Sequence, residues 1–221
     1  MTAAEYVGAR VKCAFTSRPP NRLDDTANAA LALAVLLFVL PLMLTLAALI
    51  YIDARGPVLF RHTRIGRNGK PFDCLKFRTM GLNSERLLAE MLACDAAARE
   101  EWERDFKLRN DPRVTPIGRF LRRSSLDELP QLVNILRGEM AFVGPRPIVA
   151  AEALKYGRRF QYYCSVKPGL TGLWQVNGRN DVTYSTRVAM DCLYVRRKSL
   201  MLDAYILTMT VPAVLARRGS Y

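Results

Sequence analysis

The feature that most constrains this chain is an uncharged apolar stretch from Thr26 to Ile52. Its last 24 residues, which begin at Ala29, would extend about 36 Å as a straight helix, enough to cross a hydrocarbon core of about 30 Å. The stretch exceeds the apolar region of a signal peptide, roughly 7–15 residues, so we expect it to be retained. Pro41 lies near its middle, where an interior proline costs about 3 kcal/mol unless a kink relieves it. A kink there leaves two arms of about 18 Å each, and neither arm spans a membrane alone.

Basic residues flank this apolar stretch on both sides. A spanning helix shows a cationic bias on one side only. Two basic flanks therefore favour a re-entrant helix with both ends in the cytoplasm and Pro41 as its break, although a proline-kinked spanning helix stays open as the alternative. The cations before the stretch are Arg10, Lys12, Arg18 and Arg22, and those after it are Arg55, Arg61, Arg64, Arg67 and Lys70.

Charge and composition narrow the kinds of site to consider. A net charge of +13 suits either nucleic acid or an anionic membrane face. The charges flank apolar segments and no nucleic-acid-binding module is recognisable, which favours a membrane and phosphorylated substrates. The five cysteines lack close paired spacing, so we expect free thiols in a reducing compartment. The single histidine, His62, rules out a site built from several histidines, and we expect it at the surface.

Two elements are predicted directly after the apolar stretch. Residues 58–80 contain β-favouring runs on either side of Gly66-Arg67-Asn68-Gly69, and Asn-Gly is a strong hairpin signal. A helix is predicted from Ser84 to about Lys107, with Asn83 or Ser84 as its cap. Its stripe of apolar side chains is expected to pack into the core, and it consists of Leu87, Leu88, Met91 and Leu92.

A short helix is predicted over 117–123, and a second over about 128–137. Gly138 is suited to the position just after the second helix. The start of that helix allows two registers. Ser125 and Glu128 match a capping box, whereas capping by Asp127 places Pro130 in the first turn, where proline is unstrained. We prefer the second register.

The adjacent carboxylates Asp127 and Glu128 have a structural and a chemical interpretation. Acidic residues in a first helical turn are favoured by the helix dipole and need no other purpose. The same position attracts phosphate, and magnesium typically takes one or two protein carboxylates together with substrate phosphates. Arginines that could supply bidentate phosphate contacts lie nearby in the sequence, namely Arg113, Arg119, Arg122, Arg123 and Arg146.

The C-terminal segment from Ser199 to Leu215 is apolar apart from Asp203, and it lies between two groups of basic residues. Such a segment is typical of a helix at the membrane interface with basic anchors. Burial in an ordinary core is an equally weighted alternative.

Four stretches of this sequence resemble a known family. They read GPVLFRHTRIGRNGKPFDCLKFRTM, DPRVTPIGRFLRRSSLDELPQLVNILRGEMAFVGPRP, KPGLTGLWQVNGR and DCLYVRRKSLMLDAYILTMTVPAVL. The chain resembles the bacterial sugar transferases, the monotopic polyprenol-phosphate phosphoglycosyl transferases, in their small, exopolysaccharide-initiating form. The resemblance covers residues 29 to about 215. It implies a mostly helical α+β fold with a re-entrant membrane helix, a small β-hairpin and interfacial amphipathic helices.

The resemblance also implies roles for individual residues. Asp127 matches the nucleophile, and Glu128 matches its partner at the magnesium site. Pro145-Arg146-Pro147 matches a motif implicated in nucleotide recognition. The basic positions around the phosphates are matched by Lys76, Arg78 and Arg113. Pro41 matches the proline that breaks the re-entrant helix, although Leu40 stands where some members have serine.

The implied reaction transfers a sugar-1-phosphate from a UDP-sugar to undecaprenyl phosphate and releases UMP, through a covalent aspartyl-phosphosugar intermediate and with Mg²⁺. The implied location is the cytoplasmic face of the bacterial inner membrane, in contact with membrane lipids and not with nucleic acid. We expect an N-terminal tail over 1–26, the re-entrant helix over 27–53 and the catalytic domain over 54–221. A homo-oligomer is left open, and so are the sugar and the glycan pathway.

Overall fold

The computed structural model describes residues 22–105, 108, 111–178 and 182–215. The predictions for the N-terminal tail up to residue 21, for Cys13 and for the cations Arg10, Lys12 and Arg18 therefore fall outside the described residues. The described part is mostly helical with a small antiparallel sheet, as expected. It also contains a short parallel strand pair that the sequence did not predict.

The apolar stretch forms one long helix, α1 (Arg22–Asp53), of 32 residues. It starts earlier than the predicted position 27, because residues 22–26 are also helical, and it ends at the predicted residue 53. The helix continues through Pro41, so this proline does not end it. Its composition and its length are sufficient to cross a membrane, with a mean hydropathy of 2.8 in its most apolar part.

One side of α1 packs against the rest of the protein along much of its length. Ala32, Leu46 and Ile50 are buried, and the separation from the first to the last of them, 18 positions, corresponds to about 27 Å of helix. Leucines and Phe38 on the other side are exposed. The helix thus has one protein-covered side and one apolar side without a protein partner among the described residues.

Both ends of α1 are attached to the same body. Near its start, Asp25 forms an ion pair with Lys167 at 2.8 Å, and Asp24 lies 3.7 Å from Lys198. Just after its end, the backbone carbonyl of Ala54 accepts a hydrogen bond from the Arg78 guanidinium. Both ends of the helix are therefore bonded to other segments of the protein.

The predicted hairpin is confirmed. Strand β1 (Leu59–Ile65) pairs antiparallel with β2 (Pro71–Phe77), so that Arg61 lies opposite Leu75. The connecting turn requires left-handed backbone at Asn68, with φ 58°, and at Gly69, with φ 71°. Asparagine and glycine tolerate this region better than other residues, which explains why the Asn-Gly pair marks the turn.

The single helix predicted from Ser84 is wrong in two respects. The chain forms two helices, α2 (Ser84–Cys94) and α3 (Ala96–Asp105), because Asp95 interrupts the first and its carboxylate accepts from the Ala98 amide at 3.0 Å. The apolar stripe is also not part of the core, since no residue of α2 is buried. Leu87 is exposed, and Leu88 and Met91 are only half-buried.

The helix predicted over 117–123 is confirmed as α4 (Pro116–Ser124), capped by Thr115, whose hydroxyl accepts from the Gly118 amide at 3.0 Å. The next helix starts later than predicted. The chain first takes a 3₁₀ turn at Leu126–Glu128, and α5 (Gln131–Leu136) follows. Neither predicted capping register is formed, because neither start carries a side-chain cap. Gly138 has the predicted left-handed backbone, with φ 74°.

The second sheet consists of β3 (Ala141–Val143) and β4 (Gly169–Thr171), which run parallel. Its backbones approach closely at two glycines. A Cβ added at Gly144 would lie 2.5 Å from the Lys167 carbonyl oxygen, and one at Gly169 would lie 2.1 Å from the Gly144 nitrogen. Only glycine fits at these positions.

The remaining helices are α6 (Ala150–Tyr156), α7 (Phe160–Cys164), α8 (Leu173–Val176), α9 (Tyr184–Arg197) and α10 (Leu200–Leu215). Helix α10 is partly buried in the core, and whether its exposed side lies at a membrane interface stays a prediction. Ile206 is fully buried in a core cluster with Ala32 of α1, whereas Leu200 and Met201 are largely exposed. The cysteines Cys74, Cys94, Cys164 and Cys192 are free thiols, as predicted, and His62 is half-buried on the hairpin.

Candidate active site

Three segments that are distant in sequence meet around the carboxylate pair. Lys76 comes from the end of β2, Asp127 and Glu128 come from the 3₁₀ turn after α4, and Arg146 comes from the turn after β3. The sequence predicted all four as site residues, and the structure brings them together.

Glu128 is the anchor of this group. Its Oε1 atom accepts from Lys76 Nζ at 2.7 Å and from Arg146 Nη2 at 2.9 Å. Burial alone would raise the pKa of Glu128, but the charges of Arg146 and Lys76 outweigh it and hold the pKa well below its usual range. Glu128 in turn raises the pKa of Arg146. This carboxylate is therefore ionised and neutralised by two cations.

Asp127 is buried to 9% exposure but is bound differently. Its Oδ2 atom lies 3.7 Å from Lys76 Nζ, which is an ion pair without a hydrogen bond. Burial raises the pKa of Asp127, the charge of Lys76 lowers it, and the neighbouring Glu128 raises it again. Among the described residues, Asp127 accepts no hydrogen bond, so its oxygens keep their lone pairs for another partner.

Asn134 holds Lys76 in place through the backbone. This fully buried side chain on α5 accepts from the Leu75 amide at 2.9 Å and donates to the Asp73 carbonyl at 2.8 Å. Its amide thus acts like a peptide group of a third strand on the free edge of β2. Its second N–H donates to Glu139 at 2.6 Å, so both N–H groups and the carbonyl are bonded.

We did not single out Asn134 from the sequence. A polar residue inside the apolar run Leu132–Leu136 is the signal that could have found it, because a buried polar side chain needs partners.

The turn that carries Arg146 is rigid on both sides. Pro145 and Pro147 are buried, and the Pro145 carbonyl accepts from the Gly169 amide at 2.8 Å. Arg64 of β1 donates to the Pro147 carbonyl at 3.2 Å. The prolines therefore fix the backbone, while Arg146 extends towards Glu128.

The structure places two of the predicted phosphate-binding cations in contact with other parts of the protein. The Arg113 guanidinium forms two hydrogen bonds with Asp111, at 2.7 and 2.6 Å, and stacks on Trp102 at 5.1 Å. Arg78 binds the Ala54 carbonyl at the end of α1. Neither contacts the carboxylate pair, so their role in substrate binding stays a prediction.

Another arginine, Arg122, interacts electrostatically with Asp127. Arg122 donates through Nε to the Thr79 hydroxyl at 2.9 Å. Burial lowers the pKa of Arg122, and the negative charge of Asp127 raises it in part. Arg122 is therefore a further cation whose charge acts on Asp127.

A cluster of three or more metal-ligating side chains is absent from the described residues. Two adjacent carboxylates nevertheless fit magnesium when substrate phosphates supply further ligands.

A buried carboxylate pair surrounded by cations, beside a long apolar helix, is typical of membrane-associated enzymes that act on phosphate esters. A sequence profile described as bacterial sugar transferase matches residues 20–217. This chain belongs to the bacterial sugar transferase family, which confirms the resemblance inferred from its motifs.

Several relatives are close in sequence. The undecaprenyl-phosphate galactose phosphotransferase of Salmonella typhimurium is 49% identical over 212 residues, which are 96% of this chain and 44% of that protein. The exopolysaccharide production protein ExoY of Rhizobium meliloti is 52% identical over 192 residues, covering 87% of this chain and 84% of that protein. A UDP-glucose:undecaprenyl-phosphate glucose-1-phosphate transferase of Caulobacter vibrioides is 40% identical over 209 residues, covering 91% and 72%.

This chain covers less than half of the length of some of these relatives, 44% of the Salmonella protein and 40% of a UDP-galactose-lipid carrier transferase of Erwinia amylovora.

Proposed function

We propose that this protein transfers a sugar-1-phosphate from a UDP-sugar to undecaprenyl phosphate and thereby starts the assembly of a lipid-linked surface glycan. The names of its relatives include galactose and glucose phosphotransferases that use undecaprenyl phosphate. They also include proteins of exopolysaccharide production. Because they differ in sugar, they leave the sugar of this chain undetermined.

The observation that carries the proposal is the unequal environment of the two carboxylates. Glu128 holds two cations, whereas Asp127 accepts no hydrogen bond among the described residues and lies 3.7 Å from Lys76. A carboxylate without hydrogen bonds is the better nucleophile, and the charge of Lys76 offsets part of the rise in pKa that burial causes at Asp127. Asp127 is therefore the proposed nucleophile, and Glu128 organises the cations.

The proposed reaction has two displacements at one phosphorus atom. A carboxylate oxygen of Asp127 attacks the phosphorus that carries the sugar, and the bond from this phosphorus to the UMP oxygen breaks. UMP leaves with the electron pair. A phosphate oxygen of undecaprenyl phosphate then attacks the same phosphorus and displaces the Asp127 carboxylate. Lys76 and Arg146 offset the negative charge of the diphosphate and of the leaving UMP.

Magnesium fits this site as a further part of the proposal. Asp127 and Glu128 are adjacent carboxylates, and the Asp127 oxygens are without hydrogen bonds in the described part of the chain. Glu128 would hold the ion together with the substrate phosphates, and the ion when bound would neutralise phosphate charge.

We further propose that α1 re-enters the membrane from the cytoplasmic face of the inner membrane. Support comes from its two ends, since the ion pair of Asp25 with Lys167 and the bond from Arg78 to Ala54 attach both to the catalytic part. Buried residues from Ala32 to Ile50 support it as well, because a helix that crossed alone would lack such contacts. The exposed apolar sides of α1 and α10 would then face lipid.

Mass spectrometry of the intact protein tests the covalent step. Purified protein incubated with a UDP-sugar but without lipid acceptor should release UMP in an amount approaching one per enzyme and gain the mass of a phosphosugar. Asp127→Asn should lose both the burst and the adduct, because a neutral amide is a poor nucleophile. Asp73→Asn is the matched control, since Asp73 lies on β2 and bonds the Thr63 hydroxyl outside the site.

Turnover that strictly requires both substrates, without an adduct and with an active Asp127→Asn variant, would contradict the covalent mechanism. A wild-type protein that releases no UMP from any UDP-sugar, with or without lipid acceptor, would contradict the enzymatic function itself.

A further inference from the structure

Arg187 forms no ion pair with a carboxylate among the described residues, although its charge acts on Asp191 of the same helix. It lies on α9 and stacks on the ring of Trp174, with its guanidinium carbon 4.7 Å from the ring centre. Its Nε atom is buried and has no hydrogen-bond partner among the described residues. A buried N–H of a charged group without an acceptor is costly, so a partner that the described residues do not provide is expected here.

A close approach of two backbone segments places Arg187 beside the turn that carries Arg146. Helix α8, which carries Trp174, starts directly after Gly172, and a Cβ added at Gly172 would lie 2.4 Å from the Gly144 carbonyl oxygen. Gly144 is two residues before Arg146, and Gly172 is two residues before Trp174. This close approach brings the stacked pair next to the turn that enters the active site.

The charges in this region favour an anion. Burial lowers the pKa of Arg187 and the positive charge of Arg146 lowers it further, while Tyr184 and Glu152 raise it in part. A ligand with several negatively charged oxygens would stabilise two arginines that repel each other. The planar guanidinium group of an arginine can bind two such oxygens at once. The stack on Trp174 keeps the guanidinium plane fixed, so little side-chain entropy is lost on binding.

We propose that Arg187, held by Trp174, is a second phosphate-binding arginine that acts together with Arg146 on a substrate phosphate. This inference rests on the proposed function. The phosphate belongs either to the diphosphate of the UDP-sugar or to undecaprenyl phosphate, which share the same chemistry. The role gives a function to Trp174 of the KPGLTGLWQVNGR motif.

The chain offers a matched control on the same helix. Arg196 also stacks on an aromatic ring, that of Tyr162 at 4.9 Å, but its guanidinium donates to the Tyr162 hydroxyl at 3.0 Å. Arg187→Gln and Arg196→Gln therefore remove the same charge and the same kind of stack from one helix. Only the first removes a cation next to Arg146. Arg187→Lys keeps the positive charge but lacks the planar guanidinium group. It replaces Arg187→Gln in the experiments if the glutamine variant does not fold.

The first experiment measures UDP binding to the full chain in lipid nanodiscs by titration calorimetry, with Mg²⁺ present. The second measures the rate at which undecaprenyl phosphate consumes the preformed phosphosugar adduct. Loss of a charge-assisted phosphate contact should weaken the affected step by about 10- to 100-fold. Arg187→Gln should show this loss, Arg187→Lys a smaller one, and Arg196→Gln should match wild type.

The two measurements separate the sources of the phosphate. Weaker UDP binding with an unchanged second step assigns Arg187 to the nucleotide, and the reverse assigns it to the lipid phosphate. Equal values for Arg187→Gln, Arg196→Gln and wild type in both experiments would overturn the inference while leaving the proposed function intact. A wild-type protein that neither binds UDP nor forms the adduct would overturn both.

Discussion

Asp191 on α9 is the residue whose replacement should change the pH dependence of stability. It is 2% exposed, and its Oδ2 atom accepts from the Tyr156 hydroxyl at 2.7 Å. Its Oδ1 atom is buried without a hydrogen-bond partner among the described residues. Burial raises the pKa of Asp191 to about 7, although the Tyr156 hydrogen bond and the charge of Arg187 lower it in part.

The sign of the effect follows from proton binding. Between the ordinary pKa of 3.8 and about 7, the folded protein holds a proton on Asp191 that the unfolded chain has lost. Stability is therefore lost as the pH rises through this interval. A rise from 3.8 to about 7 corresponds to about 4 kcal/mol, of which somewhat more than half falls between pH 5 and 8.

Asp191→Asn should remove this dependence, because asparagine accepts from Tyr156 and carries no charge. For a chain of this size, about 2.5 kcal/mol corresponds to a change in Tm of roughly 5–10 °C. We expect the Tm of the variant relative to wild type to rise by that amount between pH 5 and pH 8. Thermal unfolding in a fixed detergent, followed by near-ultraviolet circular dichroism, measures this difference.

Glu85→Gln is the control, since Glu85 is an exposed carboxylate on α2, and its replacement should leave the pH dependence unchanged. The comparison uses differences between two pH values. Any pH-independent cost of burying the asparagine amide therefore cancels. A difference between Asp191→Asn and wild type that stays constant from pH 5 to 8, or that falls with rising pH, would refute the reasoning.

Four further results are expected at the site and in the membrane helix. Asn134→Ala should lower the free energy of unfolding by about 3–5 kcal/mol in denaturant titration, since it leaves buried groups of β2 unpaired; an unchanged midpoint would argue against its positioning role. Lys76→Met should move the acid limb of the UMP burst to higher pH, because the Lys76 charge lowers the pKa of Asp127, and Lys76→Arg should restore it; identical pH profiles would contradict this. Chelation with EDTA should abolish UMP release, Mg²⁺ should restore it, and Glu128→Gln should stay folded with little activity, so full activity in EDTA would remove magnesium from the mechanism. Pro41→Leu should shift part of the population towards a spanning helix in cysteine-accessibility labelling of intact cells, and a periplasmic N-terminus in wild type would exclude re-entry.

The sequence by itself determined the elements whose signals are local. The Asn68-Gly69 turn and the β-favouring runs around it predicted the hairpin, because left-handed backbone at two successive positions selects those residues. The uninterrupted apolar composition predicted α1. The density of motifs identified the family, and with it the four residues Lys76, Asp127, Glu128 and Arg146 that the structure brings together.

Local signals failed where tertiary contacts compete with them. Asp127 and Glu128 have the composition of a helix start, yet they occupy a 3₁₀ turn and α5 starts at Gln131. Their carboxylates bind Lys76 and Arg146 from distant segments instead of capping backbone amides. The apolar stripe of α2 was wrongly predicted to be core, since periodicity shows that a side is apolar but not what covers it.

The tertiary structure alone decided the arrangement of the site. Nothing local in the sequence shows that Asn134 bonds the edge of β2 across 59 positions or that Gly172 touches Gly144. These contacts determine which cations reach the carboxylates and which remain bound elsewhere, as Arg113 is to Asp111. A contact between residues far apart in sequence produces no repeating pattern in the sequence. The reason is that the two residues become neighbours only in the folded chain.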